Sequence, residues 1–139
     1  MSTEINKAVA MRWQDMFRSS QEDLSKLDEF LAADFVSHNT PPGLDPGIEG
    51  VKQMVSIFQN AFPDMAGAVE DVVAEGNKVA VRFSGTGTHQ GEFFGIPPTG
   101  KPIRTTGINI FRLEAGKIVE HWNNADDLGV LQQLGVIPS

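Results

Sequence analysis

Pro63 divides this chain into two parts with different hydrophobic periods, and that division constrains the fold more than any other feature. Before it, Ile5, Val9, Trp13, Met16 and Phe17 recur at helical spacing, and so do Val51, Met54, Val55, Phe58, Ala61 and Phe62. After it, Val79, Val81 and Phe83 alternate with Ala80, Arg82 and Ser84 in the period of a strand. Helices first and strands afterwards predict an α+β domain, with the helices covering one face of a curved sheet.

In the helical part, the spacing predicts an amphipathic helix over 4–18. Ser19-Ser20-Gln21-Glu22-Asp23 then offers a cap and an acidic first turn for a second helix, buried through Leu24, Leu27, Phe30 and Leu31. Phe35 and Val36 read as buried, and His38 and Asn39 follow them directly. Pro41-Pro42 then takes the chain out of any regular element. His38 and Asn39 are thus either presented to an interior from a short strand or carried on a surface turn. A third helix runs from Val51 to Phe62, where Pro63 stops it.

The second part reads as a meander. Strands are expected over 68–74, from Val79 through Gly85-Thr86-Gly87-Thr88-His89, over 103–113 and over 118–125. Hairpin turns fall at Glu75–Lys78 and Glu114–Lys117. A short helix carrying Leu128, Leu131 and Leu134 follows. Between the second and third strands, residues 90–102 are rich in Gly and Pro but hold Phe93, Phe94 and Ile96. Such a segment needs cover, as a flap over a cavity mouth or as part of a subunit interface. There is no repeat, low-complexity tract or linker, so residues 1–139 are read as one domain.

A net charge of −7 argues against a nucleic acid or an anionic membrane as partner. The absence of cysteine removes disulfides, thiol nucleophiles and zinc–thiolate sites. The N-terminus lacks a signal peptide's basic start, and no apolar run approaches the ~18 residues of a membrane span, so a cytoplasmic protein is expected. His38, His89 and His121 have no paired metal-ligand spacing, and no metal is expected. No Gly-x-Ser-x-Gly elbow occurs, and Ser84 lies in a plain strand.

What remains is a carboxylate with polar helpers. Alternation along the last strand puts Glu120, Trp122, Asn124 and Asp126 on one face and His121, Asn123 and Ala125 on the other. If the first face lines a cavity, burial would raise the Asp126 pKa toward that of a working base. Asp126 could then take a proton from carbon next to a carbonyl. Alternatively, Asp126 or Asp127 caps the final helix, and one could do so while the other faces the pocket.

Gly87-Thr-His-Gln-Gly-Glu-Phe-Phe-Gly-Ile-Pro-Pro-Thr-Gly-Lys101 and Gly116-Lys-Ile-Val-Glu-His-Trp122, with Asp126, Leu128-Gly129 and Leu131-Gln-Gln-Leu-Gly135, resemble the SnoaL-like polyketide cyclase or ester cyclase family. Leu27–His38 and Phe62-Pro63-Asp64 fit as well, so the resemblance spans nearly the whole chain. It implies the cone of the nuclear-transport-factor-2-like superfamily, a bent antiparallel sheet wrapped around a pocket and closed by the N-terminal helices. It also implies ring closure of a hydrophobic small molecule by intramolecular aldol condensation, without metal or organic cofactor. Asp126 would be the acid/base and His38 or Asn39 a polar helper, with His121 and His89 as further candidates. Met54, Phe58, Phe93, Phe94, Ile96, Trp122 and Asn124 are the expected substrate contacts, and a homodimer is implied. Two alternatives stand beside this one: a non-catalytic binding protein of the same fold, and an epoxide hydrolase or isomerase using Arg82, Arg104 or Arg112. The chain has no tyrosine, so a phenolic oxyanion donor is missing.

Overall fold

The computed structural model describes residues 2–139. Helix α1 (Thr3–Asp15) starts where the Ser2 hydroxyl accepts the Ile5 N–H, and it buries Ala10 and Trp13. It ends before 18 because the following backbone turns onto the sheet. A Cβ on Gly67 would stand 2.7 Å from the Phe17 carbonyl oxygen, so only glycine lets the two backbones come this close.

The second helix is shorter than its leucine spacing suggests. Asp23 accepts the Ser25 N–H at 2.9 Å and opens one 3-10 turn, Leu24–Lys26, which leads into α2 (Leu27–Phe30). Leu31 then begins strand β1 (Leu31–Ser37), buried at Leu31, Phe35 and Ser37. Helix α3 (Ile48–Ala61) buries Val51, Val55 and Ala61 and stops at Phe62, before Pro63.

Strands β2 (Ala66–Glu75), β3 (Lys78–Thr88), β4 (Pro102–Glu114) and β5 (Lys117–Ala125) form the expected antiparallel meander. The sheet order is β1-β5-β4-β3-β2. An all-antiparallel sheet was expected, and β1 corrects this. It lies parallel to β5, with Leu31 opposite Ile118 and Ser37 opposite His121. This pairing joins segments more than eighty residues apart, and neither segment carries a local sign of it.

Two apolar clusters hold the layers together. Trp13, Met16, Phe30, Phe35, Val55, Val79, Phe111 and Ile118 fill the space between α1, α2, α3 and the sheet. Ala61, Phe62, Met65, Ile103, Val130 and Leu134 form a second cluster at the other end. Each fully buried large side chain contributes roughly 1.5–3 kcal/mol. Helix α4 (Asp127–Leu134) closes that end, and Gly135 ends it in the left-handed region at φ 79°. The Gln133 side chain fixes α4 to β4, taking the Arg104 N–H at 2.7 Å and donating to the Arg104 carbonyl at 2.8 Å. Among the described residues, no helix is long and apolar enough to cross a membrane.

Candidate active site

Between the inner face of the sheet, α1, α3, α4 and the 90–101 loop lies a cavity of about 1040 Å³. Its apolar wall includes Met54 and Phe58 from α3 and Phe93, Phe94 and Ile96 from the loop. Phe93 packs against Phe58 and Phe62 with ring centroids 5.3 and 5.2 Å apart. Phe94 and Gly95 both have positive φ, 46° and 85°, which makes the tight turn closed by the Phe93–Ile96 bridge. The loop is therefore a flap over the cavity. Its base is held where Gln90 and Gly91 donate to the Ala61 carbonyl. A Cβ on Gly91 would lie 2.1 Å from the Asn60 carbonyl oxygen.

The face of β5 that lines the cavity is the one opposite to that expected for the acid. His121, Asn123 and Ala125 border it, followed by Asp127. Trp122, Asn124 and Asp126 do not border it. Asp126 is the helix cap: its Oδ1 accepts the Gly129 N–H at 3.0 Å. A Cβ on residue 129 would come within 2.2 Å of Asp126 Oδ2, so Gly129 makes room for this cap. Asp127 is an exposed residue that borders the cavity, and its pKa is raised, first by the partial burial of its carboxyl and then by the neighbouring negative charge of Asp126.

The histidines occupy three different environments. His38 touches the cavity rim, but its ring stacks on Trp122 at 5.1 Å and its Nε2 bonds Glu120 at 2.7 Å. Glu120 also pairs with Arg112, and its pKa is lowered by His38 first and Arg112 second. His89 is fully buried behind the cavity wall, where its Nδ1 accepts the Thr99 N–H at 3.2 Å and ties the two ends of the flap. His121 alone is a buried cavity histidine. It lies between Trp13 and Phe111, at ring distances of 4.2 and 5.3 Å. Burial pushes its pKa down to about 3, so it is neutral near pH 7.

Around His121 a polar chain crosses the cavity floor. Ser37 Oγ is 2.9 Å from His121 Nδ1, and His121 Nε2 is 2.8 Å from Asn109 Oδ1. Asn109 Oδ1 also accepts Asn123 Nδ2 at 2.9 Å, while Asn109 Nδ2 donates to Gln14 Oε1 at 2.7 Å. Asn39 joins through its side-chain oxygen, which accepts the Asn123 N–H at 2.7 Å. Asn39 and His121 are thus brought together, and Gln14, Ser37, Asn109 and Asn123 are additional lining residues not singled out from the sequence. A polar side chain at an inward strand position, as Asn109 is, was the available signal. Arg82 pairs with Asp71, and Arg112 with Glu114 and Glu120. Neither they nor Arg104 borders the cavity, which removes the arginine set proposed for epoxide opening.

The arrangement sets one carboxylate of raised pKa against an apolar wall and a neutral hydrogen-bonding floor. Such a site can accept a proton from an acidic carbon.

Known proteins match this chain along most of its length. Residues 7–134 match the family described as SnoaL-like polyketide cyclase. The nogalonic acid methyl ester cyclase of Streptomyces nogalater is 29% identical over 111 residues, covering 78% of this chain and 83% of that one. TsrD from Streptomyces laurentii superposes with a TM-score of 0.87 at 26% identity, covering 99% of both chains. IdmH from Streptomyces antibioticus superposes with a TM-score of 0.77 at 38% identity, over 94% of this chain and 98% of that one. The chain belongs to the SnoaL-like polyketide cyclase family.

Proposed function

We propose that this protein is a cyclase-type acid/base enzyme that works without a cofactor, with Asp127 in the role first expected of Asp126. The observation that carries this reading is the Asp127 carboxyl, raised in pKa and facing a largely apolar cavity. The substrate would be a hydrophobic molecule with an activated carbon between carbonyls. Asp127 removes a proton from that carbon, and the C–H electron pair becomes the enolate. The enolate carbon attacks a second carbonyl of the same molecule, forming the ring C–C bond. The new alkoxide takes the proton back from Asp127. Met54, Phe58, Phe93, Phe94 and Ile96 hold the chain folded for this attack, which lowers its entropic cost. Matched relatives that carry ester cyclase names support the assignment.

The test is α-proton exchange into deuterated water with a panel of β-keto esters, comparing wild type, Asp127→Asn and Asp126→Asn. A second reading, binding without turnover, gains support from the capping role of Asp126. It would be favoured if the β-keto esters bound without exchanging.

The same proposal includes a homodimer paired through the outer sheet face. Val36, Val73, Ile108 and Ile110 are exposed there at 38%, 66%, 45% and 38%. Ala80, Ile110 and Trp122 form one cross-strand row, bordered by the Arg82–Asp71 and Arg112–Glu120 pairs. A face with apolar centre and both signs of charge at its edges can match a copy of itself. The net charge of −7 fits a small uncharged partner in the cavity and no nucleic acid. A cytoplasmic place of work belongs to this proposal, and cell fractionation checks it.

A further inference from the structure

Phe94 has a backbone conformation that its side chain resists. Its φ is 46°, and among the described residues the one other non-glycine with positive φ is Ala115. Both stand first in a two-residue hairpin turn with glycine second, Gly95 at φ 85° and Gly116 at φ 78°. Positive φ at both central residues marks the type I′ turn, which favours Asn or Gly in the first place. Between β4 and β5 that position holds only a methyl group. In the flap it holds a benzyl group, and for a bulky side chain the left-handed region is a clear outlier.

Packing within the fold does not account for the ring. Phe93 and Ile96 close the turn with paired N–H···O bonds of 3.0 and 2.9 Å, and both pack on the cluster around Phe62. The His89 N–H donates to the Lys101 carbonyl at 2.9 Å, and the His89 carbonyl accepts the Gly100 N–H at 2.8 Å. The flap is thus fastened without Phe94, whose aromatic neighbour is Phe93, edge-on at 4.9 Å. Phe94 is 45% exposed, yet it borders the cavity beside Met54, Phe58 and Ile96. A strained turn that holds a half-exposed ring at a cavity marks a place where function outweighs stability.

We propose that Phe94 is a retention residue: its ring lies over an apolar, uncharged molecule in the cavity and slows its release. The exposed half of the ring is then covered by the ligand instead of by the fold. The flap backbone stays in place, and the ring alone turns aside as the ligand leaves. The inference deepens the cyclase reading, and it rests on that reading for making product release a step of the reaction.

The test uses N-phenyl-1-naphthylamine, an uncharged fluorophore that brightens in apolar surroundings. Loaded protein is mixed with excess cyclodextrin by stopped flow, and the fluorescence decay gives the release rate. Phe94→Asn removes the ring and supplies a residue that the turn favours, whereas Phe94→Trp keeps a ring at the same place. Release should be about ten-fold faster in Phe94→Asn, as expected for losing half the burial of an aromatic side chain. The urea midpoint of Phe94→Asn should equal or exceed that of wild type, because the turn is relieved. Phe94→Trp should release within about three-fold of wild type. The proposal is overturned by unchanged release or a lower urea midpoint in Phe94→Asn. It is equally overturned if Phe94→Trp releases as fast as Phe94→Asn, or if wild type takes up no probe. β-Keto ester exchange in wild type with unchanged probe release in Phe94→Asn would sink the retention role alone. Faster release in Phe94→Asn with no exchange in wild type would sink the cyclase reading alone.

Discussion

Asp126 Oδ1 accepts the Gly129 N–H at 3.0 Å, which leaves the next residue, Asp127, as the acid of the cavity. Two adjacent and chemically identical side chains thus divide between holding a helix and bordering the cavity. Their different roles lead to different mutational outcomes.

Removing the cap should act on stability. Asp126→Ala strips α4 of its side-chain N-cap and should cost about 1 kcal/mol, within the usual range of ~0.5–2. Urea unfolding measures this as a lower midpoint at unchanged slope. Ligand affinity should fall far less than stability, because Asp126 does not border the cavity.

The buried imidazole makes the fold acid-sensitive. His121 titrates near 3 in the folded chain and at its ordinary value of 6.5 when unfolded. The unfolded state therefore binds the extra proton as pH falls below 6.5, and stability declines until pH nears 3. The contribution is on the order of a few kcal/mol. Asp127, with its raised pKa, opposes this, because its protonated form is favoured by folding. Replacing His121 by Phe removes the titration and should flatten stability against pH between 6 and 4, as followed by urea midpoints.

The flap depends on Gly91. Gly91→Ala places a methyl group 2.1 Å from the Asn60 carbonyl oxygen, so the loop base must move. Amide hydrogen exchange should speed up at Gln90 and Gly91, whose N–H groups both reach the Ala61 carbonyl. Exchange in β3 away from its end should stay unchanged.

The outer face predicts its own test. Ile110→Asp puts a charge at the centre of the exposed apolar row, where a symmetric pair would bury it twice. Sedimentation should show dimer for wild type and monomer for the variant, with circular dichroism unchanged.

The helical and alternating periods around Pro63 were enough to read α1, α3 and the four-strand meander, because each rests on local patterning. The α2 region misled because Leu24, Leu27, Phe30 and Leu31 are indeed buried or partly so, yet Leu31 is buried from a strand. The parallel β1–β5 pair left no trace, since register across a long crossover is set by packing. The candidate site was legible in its walls: Met54, Phe58, Phe93, Phe94 and Ile96 all border the cavity. It was not legible in its polarity. Alternation correctly separated Trp122, Asn124 and Asp126 from His121 and Asn123, but sequence alone does not say which face is inside. The indole drew attention to the wrong one. Trp122 instead lies under His38 and Lys78 on the other side.

Deuterium exchange at the activated carbon of a β-keto ester, in wild type, Asp127→Asn and Asp126→Asn side by side, decides whether Asp127 is the base. Exchange above buffer is expected in wild type, with a loss of about 10²–10⁴-fold in Asp127→Asn and near-wild-type exchange in folded Asp126→Asn. Full exchange in Asp127→Asn, with loss in Asp126→Asn, would contradict it.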